Sequence, residues 1–475
     1  MRYYSLHSPL VSAFGQIYTE LQNMLAELEK GAKIEMALAE TPLFGVLAHG
    51  YQPPRRFNVD ITLEGKRHYT SFSVFPSINN EITDQVYRPI LGEVEHLPPG
   101  LIVSIYAPLR SYLKRNKPDV FVRVQEAVVN TQDREYAVLG DPLVHVILPL
   151  LPSPDQEMLL AAGRQAFIND FGFAPKGLWL PETAVSKEVL ASARSAGYEF
   201  VPLRDSQVTN IPSGTCLDAK HNVCVVKTAK NQEMAVLLGN SGLSGFVSFQ
   251  PWSTYNAEGF MAGRQRIEQR SGSNALMMMD LERFGHHQKG ANDFLKRILE
   301  IQEGYGFSPI NMRQVLEAKD WRREKTYVDV KDNTSWSCPH ALGRWTGQCG
   351  CDCDNPTEFT KHIKQEFYET LTKMNEFVNT SLNSRFPGWR SEFSNLFVTF
   401  ADDIFTGTNF GPSLDQVVKS AGGDEAKTKL YLAKMEVMVG MTSCGWFFGA
   451  DERPERSIPS SMIQGVKNLL PEFYI

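Results

Sequence analysis

GLWLPETAVSKEVLASARSAGYEFVPL, residues 177–203, holds one complete supersecondary unit. GLWL (177–180) is a short, continuously apolar run of the kind a parallel strand buried on both faces requires. Ser186 is placed to cap a helix over 189–196, and Gly197 is the residue type that ends one. The next apolar run, 198–203, then supplies a second strand. Strand, helix and strand in this order form a βαβ unit, which predicts a parallel α/β sheet or barrel.

The same texture extends on both sides. FGVLA (44–48), LIVSI (101–105), YAVLG (136–140), FVPL (200–203), MAVLL (234–238), GFVSF (245–249) and ALMMM (275–279) are all four or five residues long and bounded by turn-formers or polar residues. With GLWL they make seven or eight strand candidates, which suit a closed or nearly closed barrel better than a short open sheet. Ahead of them, Ile17, Leu21, Met24, Leu25 and Leu28 share one face of an expected N-terminal helix within 1–42. After about residue 320 the strand runs fade. Asn355-Pro356-Thr357-Glu358 has the form of a capped helix start, leading into Ile363, Phe367, Leu371, Met374 and Val378 at helical spacing. A second helix is expected over 426–441. The expected division is 1–42, 43–325 and a mainly helical 326–475.

Composition narrows the function. Of the 475 residues, 42% are hydrophobic and 21% charged, the mix of a globular protein with a sizeable core. The balance of 48 Lys+Arg against 54 Asp+Glu provides no basic field for nucleic acid or an anionic membrane. No apolar run reaches the roughly 18 residues needed to cross a bilayer, and MRYYSLHSPLVSAFGQ has no apolar core for a secretory leader. Seven cysteines, four of them between 338 and 353, do not suggest a disulfide framework. A cytoplasmic protein is expected. Walker, GxGxxG and GxSxG signatures are missing.

In parallel α/β folds the reacting groups sit at the carboxyl ends of the strands. FGVLA leads to His49 and Gln52; GLWL, to Glu182; ALMMM, to Asp280, Glu282, His286 and His287. Two carboxyl groups delivered to one rim are what glycoside hydrolysis needs. Ordinary roles stay open: Glu182 capping the following helix, Asp280 pairing with an arginine. His49, His145, His286 and His287 are candidate metal ligands or plain hydrogen-bonding groups, and they form no HExxH. Cys338, His340, Cys349, Cys351 and Cys353 could enclose zinc, although the usual two-to-four-residue gap between paired cysteines is absent. Trp336 and Trp345 offer flat faces for a sugar ring, or belong to the core.

Several segments, in order, resemble glycoside hydrolase family 57, in particular the branch with an extra C-terminal domain of unknown function (DUF3536). They are His49-Gly50-Tyr51-Gln52-Pro53-Pro54-Arg55, Asn79-Asn80-Glu81-Ile82-Thr83, residues 108–113, and His145 through Pro149. Trp179-Leu180-Pro181-Glu182-Thr183 and Asp280-Leu281-Glu282-Arg283-Phe284-Gly285-His286-His287 follow, then residues 332–338 and 442–448 with Trp446. The resemblance implies a (β/α)7-type barrel acting on α-glucans with retention, by hydrolysis or transfer, without a required metal or other cofactor. It implies Glu182 as nucleophile, Asp280 as acid/base, His49 and His145 on substrate hydroxyls, and Trp179 stacked on a sugar. Leu281 departs from the glycine usual at that place, and is expected to narrow the site or turn the loop. Two rival readings are a metal-dependent, polysaccharide deacetylase-like hydrolase and a catalytically silent glycan-binding protein.

Overall fold

The computed structural model describes residues 41–210, 223–271, 273–318, 325–349, 357–407, 417–419, 421–448 and 454–474. The expected N-terminal helix, Cys351 and Cys353 lie outside them. In chain order the strands are β1 (Leu43–Gly50), β2 (Arg56–Leu63), β3 (Lys66–Ser73), β4 (Leu101–Ile105), β5 (Val138–Leu139) and β6 (Phe200–Arg204). β7 (Val208–Thr209), β8 (Val223–Lys227), β9 (Glu233–Gly239), β10 (Ala275–Asp280), β11 (Ser308–Pro309) and β12 (Asp329–Val330) complete the set.

The fold is α/β and rests on parallel pairing. β10, β1, β4 and β5 are successive parallel neighbours. Parallel bridges Gly140↔Leu178 and Gly177↔Phe200 carry the pattern through residues 177–180 to β6, which pairs in parallel with β9. Beyond β9, the Asn240 N–H donates to the Leu276 carbonyl of β10 at 2.8 Å. Leu47, Ile102, Leu139, Trp179, Phe200, Leu237 and Met278, one from each parallel segment, meet in a single buried cluster. Alternate residues such as Val46, Val103, Val138 and Met277 turn the other way, into the layer under the helices. Gly239 makes room for Met278, with which a Cβ would collide. Helices Ala107–Asn116, Pro118–Asn130, Ser153–Phe171, Lys187–Ser195 and Ala291–Ile301 cover the strands.

In the expected βαβ unit GLWL pairs only through isolated parallel bridges at Gly177 and Leu178; Ser186 accepts from the Val189 N–H, the helix spans Lys187–Ser195, and Gly197 takes φ +91°. Three expectations are corrected. GFVSF is no strand but the second half of helix Ser241–Phe249, with Asn240 accepting from the Leu243 N–H. Its buried residues, Leu243, Ser244 and Val247, recur at helical spacing, so periodicity overrode the continuous apolar run. In YAVLG only Val138–Leu139 is strand, since Tyr136 and Ala137 close the helical turn Arg134–Ala137. The long C-terminal helix is Glu358–Arg385, capped by Thr357, whose hydroxyl accepts from the Thr360 N–H; the start falls two residues later than the Asn-Pro signal indicates.

The hairpin of β2 and β3 turns through Glu64 and Gly65, at φ 50° and 73°, the left-handed pair a two-residue turn requires. Residues 42–475 form one compact unit. A single hydrophobic cluster joins hairpin residues such as Phe57 to Leu178 and Val201 of the sheet and to Leu371, Tyr431 and Met462 of the C-terminal helices. At its centre is a buried polar knot. Lys434 of helix Glu425–Gly440 donates to Asp155 Oδ2 at 2.8 Å, Asn375 Oδ1 at 2.6 Å and Asn379 Oδ1 at 2.9 Å. Asn375 and Asn379 also donate to Asp155 Oδ2. Removing one partner of such a pair strands a buried charge. Asp155→Ala is therefore expected to cost about 3–5 kcal/mol of apparent unfolding free energy in urea titrations. Asp155→Leu combined with Lys434→Met should recover a substantial part of that loss.

Candidate active site

Three strand ends build the floor. Register places His49 of β1 beside Asp280 of β10 on one side and Ser104 of β4 on the other. His49 Nε2 lies 3.1 Å from His145 Nε2, and His49 Nδ1 lies 3.4 Å from Ser104 Oγ. His145 Nδ1 meets Ser443 Oγ at 2.7 Å, and its ring stacks on Tyr51 at 3.8 Å. Burial lowers the pKa of both imidazoles, that of His49 to about 3, and the nearby His49 adds to the lowering at His145. The pair is a neutral hydrogen-bonding floor.

Glu182 follows residues 177–180 in a tight turn where Glu182 and Thr183 both take positive φ, 54° and 47°. Two adjacent non-glycine residues in the left-handed region carry strain of about 1–3 kcal/mol each. A loop from the C-terminal region secures the turn. The Trp336 N–H donates to the Glu182 carbonyl at 3.1 Å, while Trp336 Nε1 and Ser337 Oγ donate to Glu182 Oε2 at 3.2 and 2.8 Å. Burial raises the Glu182 pKa; the Ser337 and Trp336 donors and Arg344 pull it back.

Asp280 ends β10 with its side chain open to solvent along one side. Dense surroundings strip water from it, and the charges of Glu282 and then Glu182 add to that effect, so its carboxyl is held well above the usual carboxylate range; Arg204 opposes. Arg204 itself lies 5.1 Å over the Trp336 ring. Glu282 is buried, accepting from Tyr87 Oη and from the Tyr51 N–H at 3.0 Å, with Gln52 Nε2 at 3.4 Å. Burial pushes its carboxyl up to about 7 against those donors. Gln52 is set in turn by Arg55, which donates to its Oε1 at 2.8 Å.

The site thus gathers three carboxyl groups with different surroundings, a neutral histidine pair and an indole edge. The sequence model described as Glycosyl hydrolase family 57 matches residues 3–329. The chain belongs to glycosyl hydrolase family 57. It is 27% identical over 144 residues to an alpha-amylase of Pyrococcus horikoshii, covering 30% of this chain and 22% of the relative. Identity is also 27% over 142 residues to a 4-alpha-glucanotransferase of Thermococcus litoralis, 30% of this chain and 21% of that one. The matched region therefore spans about a fifth of the length of these curated relatives. An exo-type maltose-forming amylase from Pyrococcus sp. ST04 has the same fold, with TM-score 0.65 at 15% identity over 91% of this chain and 79% of that one. The branching enzyme of Thermococcus kodakaraensis gives TM-score 0.53 at 15% identity, covering 90% of this chain and 95% of its own.

Within this family 57 chain several expected site residues prove to be packing residues. Trp179 is fully buried, its ring stacked on His49 at 5.1 Å and edge-on to Trp336, which leaves no face for a sugar. Trp345 and Trp446 are buried with their Nε1 groups on the Ser443 and Gly440 carbonyls. Trp336, half-buried, is the indole left at the site. His286 bonds Gln85 at 3.3 Å and sits edge-on to His287, and the backbone N–H groups of both donate to the Glu282 carbonyl. Leu281 does not narrow the site, since it is buried in the layer between strands and helices, and it opens the 3-10 turn Leu281–Arg283. Among the described residues, the group placed to hold a metal is Cys338, His340 and Cys349, not the histidine floor. Tyr51, Tyr87, Arg204 and Ser443 were not singled out by sequence; Tyr51 and Ser443 stood inside quoted motifs without a role.

Glu282 generates a stability prediction. Its folded pKa of about 7 exceeds the ordinary 4.5, so the folded state prefers the acid form. Stability is therefore full below about 4.5 and declines as pH rises through about 7. Glu282→Gln should flatten this decline, which thermal unfolding midpoints at about pH 5 and about pH 8 will show.

Proposed function

We propose that the chain is a retaining α-glucan-active enzyme that hydrolyses or transfers α-glycosidic bonds, with Glu182 as nucleophile and Asp280 as acid/base. The observation that carries this is the contrast between two carboxyl groups in one site. Burial raises both carboxyls, but two donors pull Glu182 back toward the anion, whereas neighbouring negative charge adds to the rise at Asp280. Glu182 attacks the anomeric carbon as Asp280 gives its proton to the departing oxygen, leaving a glycosyl-enzyme. Asp280 then takes a proton from water or a sugar hydroxyl, whose oxygen displaces Glu182. The Trp336 face would lie against a sugar ring, while His49 and His145, buried and with their ring nitrogens on Ser104, Ser443 and each other, would support the floor beneath it rather than bind substrate hydroxyls. Relatives described as alpha-amylase and 4-alpha-glucanotransferase support the glucan reading.

Membership of the DUF3536 branch, cytoplasmic residence, the division at about residue 325 and closure of the seven parallel segments into a (β/α)7 barrel belong to the same proposal. The inner cluster and the Asn240–Leu276 bond support closure. The silent glycan-binding reading loses its motive once Leu281 is seen in the core. No helix among the described residues is long and apolar enough to cross a membrane.

The test is overnight incubation with a maltooligosaccharide ladder read by mass spectrometry. Shorter products alone would identify a hydrolase, and a spread of shorter and longer ones a transferase. Glu182→Gln and Asp280→Asn should each lower turnover by on the order of a thousandfold or more. An untouched ladder with the wild type overturns the glucan reading. A further outcome concerns pH. Asp280 must hold a proton, so kcat/KM should fall on the alkaline side as it ionises. Glu282→Gln removes one repelling charge and should move that limb to lower pH.

A further inference from the structure

We propose that Cys338, His340 and Cys349 bind one zinc ion, and that this ion fastens the loop presenting Trp336 and Ser337 to Glu182. The metal-binding part stands without the catalytic reading; only the value of holding Glu182 in place rests on it. The ligand atoms of the three residues lie within 4.8 Å of one another. The two sulfurs, eleven residues apart, approach to 3.6 Å. A disulfide needs about 2.05 Å, whereas two thiolates at about 2.3 Å from a tetrahedral zinc stand about 3.8 Å apart. The observed spacing fits the second arrangement.

The backbone is built to bring these groups together. Residues 338–349 fold back through the Gly343 N–H on the His340 carbonyl and the Gln348 N–H on the Gly343 carbonyl, both 3.0 Å. Gly347 takes φ +75°, and a Cβ there would collide with the Lys361 carbonyl. A Cβ at Gly343 would lie 2.9 Å from that of Cys349. Both glycines thus let the chain return Cys349 to Cys338. Arg344, inside the fold-back, donates to the Ser337 carbonyl at 2.8 Å and the Phe447 carbonyl at 3.2 Å. Ser337, whose hydroxyl holds Glu182, is therefore tied to the fold-back at its carbonyl and is the covalent neighbour of Cys338. Cys338 is buried, Cys349 half-buried and His340 exposed, so the imidazole can close over the sulfurs from the solvent side. Two thiolates and one neutral imidazole suit a borderline-soft d10 cation, with water or another donor in the fourth place. The spacing lacked the usual cysteine pair; the fold-back brings two distant cysteines together instead.

The experiment uses the full chain, free of any affinity tag, from zinc-supplemented culture. Elemental analysis should find about one zinc per chain, falling below about a tenth in Cys349→Ser and in the exposed His340→Ala. Cobalt exchanged into the wild type should give a thiolate-to-metal charge-transfer band that weakens in Cys349→Ser. Chelation should lower the thermal midpoint of the wild type and leave that of His340→Ala unmoved. Glu182→Gln should keep its zinc, which separates loss of chemistry from loss of metal. Less than about a tenth of a zinc per wild-type chain with no cobalt band, or recovery of a Cys338–Cys349 disulfide by mass spectrometry, overturns the proposal.

Discussion

The register between β1 and its two parallel neighbours is the constraint on which the site depends. Aligning Val46 with Met277 brings His49 level with Asp280, and the pairing with β4 puts Ser104 on the opposite flank. A shift of one residue would turn Asp280 and His49 to the other face and send the inner cluster outward, because strand side chains alternate. The buried runs forbid that shift. Leu47 and Met278 belong to the inner cluster, and Val46, Met277 and Met279 to the layer under the helices. The same packing that holds the sheet therefore fixes which groups reach its carboxyl edge.

Once those positions are fixed, electrostatics divide the labour among three carboxyl groups. Glu282, behind Asp280, is surrounded by Tyr87, Tyr51 and Gln52, which hold it in place without removing its influence on Asp280. Glu182 faces Ser337 and Trp336 instead. A site of identical residue types in water would ionise uniformly near pH 4. Burial raises all three carboxyls, but donors from Ser337 and Trp336 oppose that rise at Glu182 while the charges of Glu282 and Glu182 add to it at Asp280.

The strand runs and carboxyl ends were legible because they are local: GLWL, FVPL and ALMMM carry their own burial pattern, and Glu182 and Asp280 follow directly in sequence. GFVSF misled because five apolar letters do not show a period, and only Leu243 and Val247 together reveal the helix. The indoles misled for a different reason. An aromatic residue beside a motif reads as a platform, but Trp345 and Trp446 each satisfy an indole N–H on a buried carbonyl, an arrangement set by residues 98 and 6 positions away. Tyr87 and Ser443 lie 195 and 298 positions from the groups they touch, beyond any local pattern.

Those long separations also bear on what the C-terminal region is for. Ser443 fixes His145 by its hydroxyl and receives the His145 carbonyl at its N–H, 2.8 Å away, while Cys444 meets Tyr51 Oη at 3.4 Å. From the other side, Trp336 braces the strained turn of Glu182 through its backbone N–H, and Thr183 Oγ1 lies 3.1 Å from that same N–H. Left-handed Glu182 and Thr183 would relax toward ordinary backbone if nothing held them. Their conformation is sustained by residues after 330, so the strands place the carboxylate but the later chain holds its aim. Residues after 330 thus supply part of the immediate surroundings of both Glu182 and His145.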